Sequence, residues 1–207
     1  MKKKVIFIGA GGHAKSVLDC LDKEEYELVG FIDNHKVGSH CGVPILGKDL
    51  NDIDEAHRYI YFVSIGDNRC RMDWFNKLND QGLETINIIS PKAVVSINAK
   101  LGKGVFVGHF AVINSGASVD DDCIINTMAL VEHECHVGKH CHISTKAVIN
   151  GGVIVEDEVF LGSGATVNGQ LQIKKQSIIG SGSVVIRDVK SNVTVVGNPA
   201  RVIKERE

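Results

Sequence analysis

From Val95 to Val185 every sixth residue is a large aliphatic: Val95, Leu101, Val107, Ile113 and so on, without a miss, for sixteen rungs. With 59 Val, Ile and Leu among 207 residues, such a run in the best of six registers arises by chance about once in 10^8 sequences. A second ladder follows four residues after each rung and is mostly small: Ala99, Ala111, Ala117, Cys123, Ala129, Cys135, Cys141, Ala147. The residue just after a rung is usually Gly or polar, as in Gly102, Gly108, Asn114, Asn126 and Gly162.

A period of six matches neither a 3.6-residue helix nor an alternating strand. It matches a parallel β-helix, with one short strand and one turn per hexad. Three hexads make a triangular coil, and sixteen hexads a little over five coils. The aliphatic fills the interior and the small residue lets the walls approach. The residue after each rung is expected to take the turn at positive φ, where Gly or Asn is least strained. No hexad buries its apolar side alone, so the coils must stack. Gln170 to Gln176 fit least well, with Leu171 in a small slot and Lys174 in a turn.

Upstream the pattern changes. Lys4 to Ile8 reads as a buried strand, followed by Gly9-Ala10-Gly11-Gly12-His13-Ala14 and a helical spacing of Val17, Leu18 and Leu21. Leu28 to Ile32 is a second strand ending at Asp33-Asn34. Gly38 to Leu50 reads as loop and Tyr59 to Ile65 as a third strand. Arg69 to Leu78 reads as a helix whose Trp74 belongs to the core, and Leu83 to Ile89 as a fourth strand before Ser90-Pro91. The chain thus divides into an α/β, Rossmann-like nucleotide-binding unit at 1–90 and a β-helix at 91–207. Gly197-Asn198-Pro199-Ala200-Arg201 closes the β-helix and a short charged tail follows.

A formal charge of −2 with interspersed signs leaves no basic patch for nucleic acid. The apolar run after Lys2-Lys3-Lys4 is too short for a signal peptide, and no stretch is long enough to span a membrane. A soluble, cytoplasmic protein is expected. Of six cysteines, Cys123, Cys135 and Cys141 sit on the small-residue ladder and read as packing. The cluster from His133 to His142 invites a zinc site. Cys135 and Cys141 must point inward while His133 points outward, so the ligands would not converge and no metal is expected.

The Gly9-to-Ala14 turn, with Asp33 about 20 residues on, suits a phosphate at a helix N-terminus and an acid near a ribose. By spacing alone His133, two residues after rung Val131, is a turn histidine facing outward at a corner. An imidazole titrates near 6.5 and can take a proton at neutral pH.

The ordered set Gly9-Ala10-Gly11-Gly12-His13-Ala14-Lys15, Phe31-Ile32-Asp33, Ser64-Ile65-Gly66-Asp67-Asn68, the hexad ladder with Val131-Glu132-His133-Glu134-Cys135, and Gly197-Asn198-Pro199-Ala200 resembles the NeuD/PglD sugar acetyltransferases over essentially the whole chain. The resemblance implies a left-handed coil and transfer of acetyl from acetyl-CoA to a sugar. It also implies a homotrimer with sites between neighbouring β-helices. It gives His133 as general base, Glu134 as its orienter, and His142 near the thioester carbonyl. Gly151, Ser163, Ser181 and Gly182 would follow the CoA groove, and Asn126 would lie near the sugar. Gly11, Gly12 and His13 would cradle a diphosphate, Asp33 would meet the base or ribose, and Ile65 and Gly66 would border the nucleotide. Ala14 and Asn34 depart from the nucleotide-sugar branch, which often has Gly and a second acid there. The expected acceptor is the amine of a UDP-linked 4-amino sugar in glycan biosynthesis. The alternatives are O-acetylation of sialic acid, a non-catalytic trimeric nucleotide-sugar-binding protein, and a dinucleotide oxidoreductase. The last lacks room for a second mononucleotide half before Pro91.

Overall fold

The computed structural model describes residues 2–205. Its first unit is a twisted sheet. Strand β1 (Lys3–Ile8) is followed by α1 (Gly12–Cys20), β2 (Tyr26–Ile32), β3 (Ser39–His40), β4 (Val43–Gly47), β5 (Ile60–Val63) and α2 (Asn68–Asp80). The sheet order is β3-β4-β2-β1-β5, and only the β3–β4 pair is antiparallel. Alternation along β1 explains the layers. Val5 and Phe7 face α1, with Ala14 and Val17; Ile6 and Ile8 face α2, with Phe75 and Leu78.

Three expectations change here. Gly38 to Leu50 is not all loop, because Cys41 and Gly42, at φ 52° and 77°, close a two-residue hairpin between β3 and β4. Trp74 is half-buried rather than core. Leu83 to Ile89 gives no full strand in this sheet. Thr85 makes one bridge to Tyr61, and Ile88–Ile89 pairs with Phe106–Val107 of the β-helix, starting the coil one hexad before Val95.

The second unit is a triangular prism of left-handed coils. Each two-residue strand pairs in parallel with the strand 18 residues on, for example Ile124–Ile125 with His142–Ile143 and Leu130–Val131 with Val148–Ile149. Rungs and small residues together form one buried core from Val105 to Val195. The last coil is shorter: Ile178 pairs with Thr194, 16 residues on, and Val193–Val196 turns back to pair antiparallel with Arg201–Glu205. The expected charged tail is therefore a strand as far as Glu205. The Gln170–Gln176 hexads keep register, with Gln172–Ile173 paired to Ile154–Val155.

The turn chemistry differs from expectation. From Leu101 to Ile179 positive φ falls three residues after each rung, not one. Glycine takes it at Gly104, Gly116, Gly152, Gly164 and Gly182, but nine other residues, from Phe110 (58°) to Gln176 (58°), accept it too. Glycines just after rungs serve close approach instead: a Cβ on Gly162 would lie 2.6 Å from the Ser181 backbone nitrogen.

The three prism faces differ by their outward residues. One carries Phe106, Ile124, His142, Phe160 and Ile178, and the α/β unit docks on it through Phe106 and Ile124. The second carries Val94, Val112, Leu130, Val148, Thr166 and Val184, all exposed or half-buried. The third is mostly polar: Lys100, Ser118, His136, Ile154 and Gln172.

Candidate active site

The chain runs from β1 to β2 and β4 on one side, then crosses to β5 on the other. That reversal opens a crevice at the C-terminal strand ends, the usual ligand position in such sheets. A cavity of about 460 Å³ occupies it, lined by Gly9, Gly11, Gly12, His13, Asp33, Ile65, Gly66 and Trp74, among others. All six residues that sequence reasoning placed near a nucleotide in this unit reach this one cavity. Gly11 caps α1 without any side-chain hydrogen bond, so the free N–H groups of the first turn remain available to an anion.

Asp33 lines the cavity and also holds the loops around it. Its Oδ2 accepts from Ala10 N (2.7 Å), and its Oδ1 accepts from His35 N and Lys36 N (2.9 Å each). Three of its roughly four acceptor directions are taken, so it braces the loop walls and keeps one direction open. Burial works to raise its pKa. The N–H donors of Ala10, His35 and Lys36, with the Lys36 charge, outweigh that and hold the carboxyl below its usual range. Trp74, from α2, is a cavity wall that sequence reasoning assigned to the core. A helical apolar position reads alike in both places.

His142 projects from the docked prism face into the seam between the units and is 8% exposed. Its Nδ1 lies 3.1 Å from Gly66 O and its Nε2 3.0 Å from Asn126 Nδ2. The carbonyl can only accept, so Nδ1 carries the proton and Nε2 accepts from the amide. Both ring nitrogens of His142 are thus engaged within the chain, and Asn126 Nδ2 keeps a second N–H. Asn126 Oδ1 is held in turn by Thr127 N at 2.8 Å.

Burial first, then the Arg71 charge, lowers His142 to about 3 and His13 to about 4. The two rings lie 6.4 Å apart between centroids. Between pH 6.5 and these values the unfolded imidazoles bind protons that the folded ones refuse. Stability therefore falls as pH falls, by about 2 kcal/mol per group from pH 7 to pH 5. Urea titrations at both pH values should show a steeper loss for the native sequence than for a His13→Gln, His142→Asn variant.

His133 stands on the corner between the apolar and polar faces, with its side chain 62% exposed. Its Nδ1 is 3.5 Å from Glu134 Oε2. Glu132 is used otherwise, accepting from the His133 backbone N–H at 3.1 Å. Gly151, expected in the CoA groove, lies one coil below the His133 ring. A Cβ there would come within 2.6 Å of Cε1 and Nε2, so glycine makes room for the imidazole.

Asn126, Ser163, Ser181 and Gly182 lie on a different corner, between the docked and apolar faces. Ser163 Oγ bonds Ser144 Oγ at 3.0 Å and Thr145 Oγ1 at 2.8 Å. A Cβ on Gly182, at φ 69°, would meet open space. Within one chain the expected residues therefore split. His133, Glu134 and Gly151 hold one corner; Asn126, Ser163, Ser181 and Gly182 hold another, with His142 beside it on the docked face. Six residues at about 3.3 Å each, less the bends, put the two corners on the order of 15 Å apart. Among the described residues no group of three or more His, Cys, Asp or Glu could hold a metal. Among the described residues no helix is long and apolar enough to cross a membrane.

The profile of the PglD N-terminal domain matches residues 4–78. The chain is similar to perosamine N-acetyltransferase of Caulobacter crescentus, solved as a histidine mutant with CoA and GDP-perosamine. Identity is 36%, covering 98% of this chain and 97% of that one, with a TM-score of 0.91. The acetyltransferase domain of PglB from Neisseria gonorrhoeae is 31% identical, covering 98% of this chain and 100% of that one, with a TM-score of 0.94. An uncharacterized protein of Acanthamoeba polyphaga mimivirus is 33% identical over 118 residues, 56% of this chain and 24% of its own length. The chain thus spans about a quarter of that curated relative. Agreement through both units, at over 30% identity and nearly full length, makes this chain a member of the PglD family of hexapeptide-repeat sugar acetyltransferases.

Proposed function

We propose that this protein transfers acetyl from acetyl-CoA to the amine of a nucleotide-linked amino sugar, at sites shared between the copies of a homotrimer. One observation carries the reading. The cavity at the uncapped start of α1 and the His142–Asn126 pair share the Gly66 loop. A diphosphate on the α1 N–H groups would extend its sugar along that loop toward the Asn126 corner.

The apolar face supplies the assembly. Val112, Leu130 and Val148 lie between the two corners, and Phe110 and Met128, 55% and 49% exposed, flank them. Three copies with these faces toward a common axis bring the Asn126 corner of one against the His133 corner of the next. Cyclic symmetry keeps equal heights level. His133 then meets the neighbouring layers at Asn126–Thr127 and Ser144–Thr145. Ser163, Ser181 and Gly182 continue that edge as a shallow groove for the pantetheine chain.

The chemistry follows. The amine nitrogen attacks the thioester carbonyl carbon while His133 takes its proton, and Glu134 favours the resulting imidazolium. The oxyanion accepts from Asn126. Collapse breaks the C–S bond, and the leaving thiolate recovers the proton from His133.

The test is purified protein with acetyl-CoA and four acceptors: UDP- and GDP-linked 4-amino sugars, the free amino sugar, and sialic acid. Acetylation of a nucleotide-linked amine, with little on the free sugar, is expected. Turnover on sialic acid alone would replace this reading with O-acetylation.

A further inference from the structure

Arg71 is 1% exposed, a fully buried cation that sequence reasoning passed over on the α2 helix. Asp67 caps that helix start through Cys70 N and so leaves Arg71 to face the prism. Its guanidinium spans both units. Nε donates to Asp122 O at 2.9 Å, and Nη2 donates to His140 O at 2.8 Å and Asn68 Oδ1 at 3.1 Å. Nη1 reaches Ile65 O and Gly66 O, each at 3.5 Å. Asp122, also 1% exposed, lies 3.3 Å away and takes His140 Nδ1 at 2.8 Å on the same Oδ2. A single planar fork therefore ties two prism coils to the loop that borders the cavity.

That loop carbonyl is the one His142 uses. The chain of donors is closed at both ends: Gly66 O can only accept and Thr127 N can only donate, so the His142 tautomer and the Asn126 amide each have one orientation. We propose that Arg71 is a positioning residue for acyl transfer: by holding the Gly66 carbonyl against the prism it fixes the His142 tautomer and so aims the free Asn126 N–H at the reaction corner. This rests on the acetyltransferase reading for its consequence, but not for the hydrogen-bond relay itself. The same geometry also places the nucleotide cavity and the acyl corner on one rigid loop. A shift at Gly66 would therefore be felt by the acceptor and by Asn126 together.

The test uses two variants. Arg71→Met with Asp122→Asn removes both buried charges at once, avoiding an orphaned carboxylate. Arg71→Lys keeps the charge but loses the fork, and carries the same readouts if the double variant does not fold. Each is measured by acceptor kinetics, by acetyl-CoA binding, and by ¹⁵N NMR of histidine-labelled protein. Loss of the pure Nδ1–H signature of His142 is expected, with kcat lowered about 10–100-fold and acetyl-CoA Kd unchanged. A folded variant keeping both the native tautomer and native kcat overturns the proposal. So does one whose acetyl-CoA affinity falls in step with kcat, since that marks general loosening. If the native chain acetylates no acceptor, the proposed function fails, and the tautomer readout alone decides the relay.

Discussion

Replacing His133 with alanine should lower kcat by about 10²–10⁴-fold, the usual worth of a positioned general base. KM for both substrates should hardly change, because the ring contributes its effect only as the proton leaves the amine. The fold should survive. The side chain is 62% exposed, and its main-chain links, His133 N to Glu132 Oε2 and Gly152 N to His133 O, do not involve the imidazole. Unaltered melting with collapsed turnover is therefore the expected pair of results. Unchanged turnover would remove the mechanism. Glu134→Gln should cost less, since its carboxylate acts only through the ring and is 79% exposed.

The second large effect comes from mixing. His133→Ala and Asn126→Ala chains should each be inactive as pure assemblies, because each spoils one half of every site. Unfolded together and reassembled at equal amounts, they should recover activity in about one site in four, where an intact Asn126 corner meets an intact His133 corner across a cyclic contact. A site built within one chain would recover nothing. Leu130→Asp serves as the control. A charge in the middle of the apolar face should yield dissociated, inactive chains, seen as a shift in sedimentation with the prism's circular dichroism retained. Recovery failing while the assembly persists would place the site inside a single chain.

The ladder was legible because inward positions of a triangular coil recur at a fixed interval, and burial there tolerates only aliphatic or small side chains. The left-handed corner position was not. Phe110, Asp122, Met128, Glu134, His140 and Lys146 share one backbone conformation but point outward, so nothing in their chemistry marks it. The cavity was legible where the Gly9-to-Ala14 turn marked it, at Gly11 and Gly12, and where the family resemblance did, at Gly66; all three line it. Arg71 and Trp74 escaped because a helix position looks the same whether its face meets water, a cavity or another unit. Gly151 was assigned to the groove by its match to the family, and its smallness does not say what lies beside it. The structure puts the His133 ring there. Asp33 shows a role the sequence does not mark: beside lining the cavity, it accepts from the backbone of Ala10, His35 and Lys36.

The 18-residue repeat of the coils makes the lower prism a ruler. Each layer adds about 4.8 Å along the axis and repeats the same edge positions, so excising or duplicating a whole layer between Ala147 and Val185 would change the length of that edge in fixed increments. Every remaining inward side chain would stay in phase, and Asn68 beside the Gly66 loop, which bonds Glu158 O and Val159 O, would meet the equivalent carbonyls of the adjoining layer. On the proposed reading, reach for a long, thin cosubstrate is set by the length of that edge, and the chemistry by the layers above it.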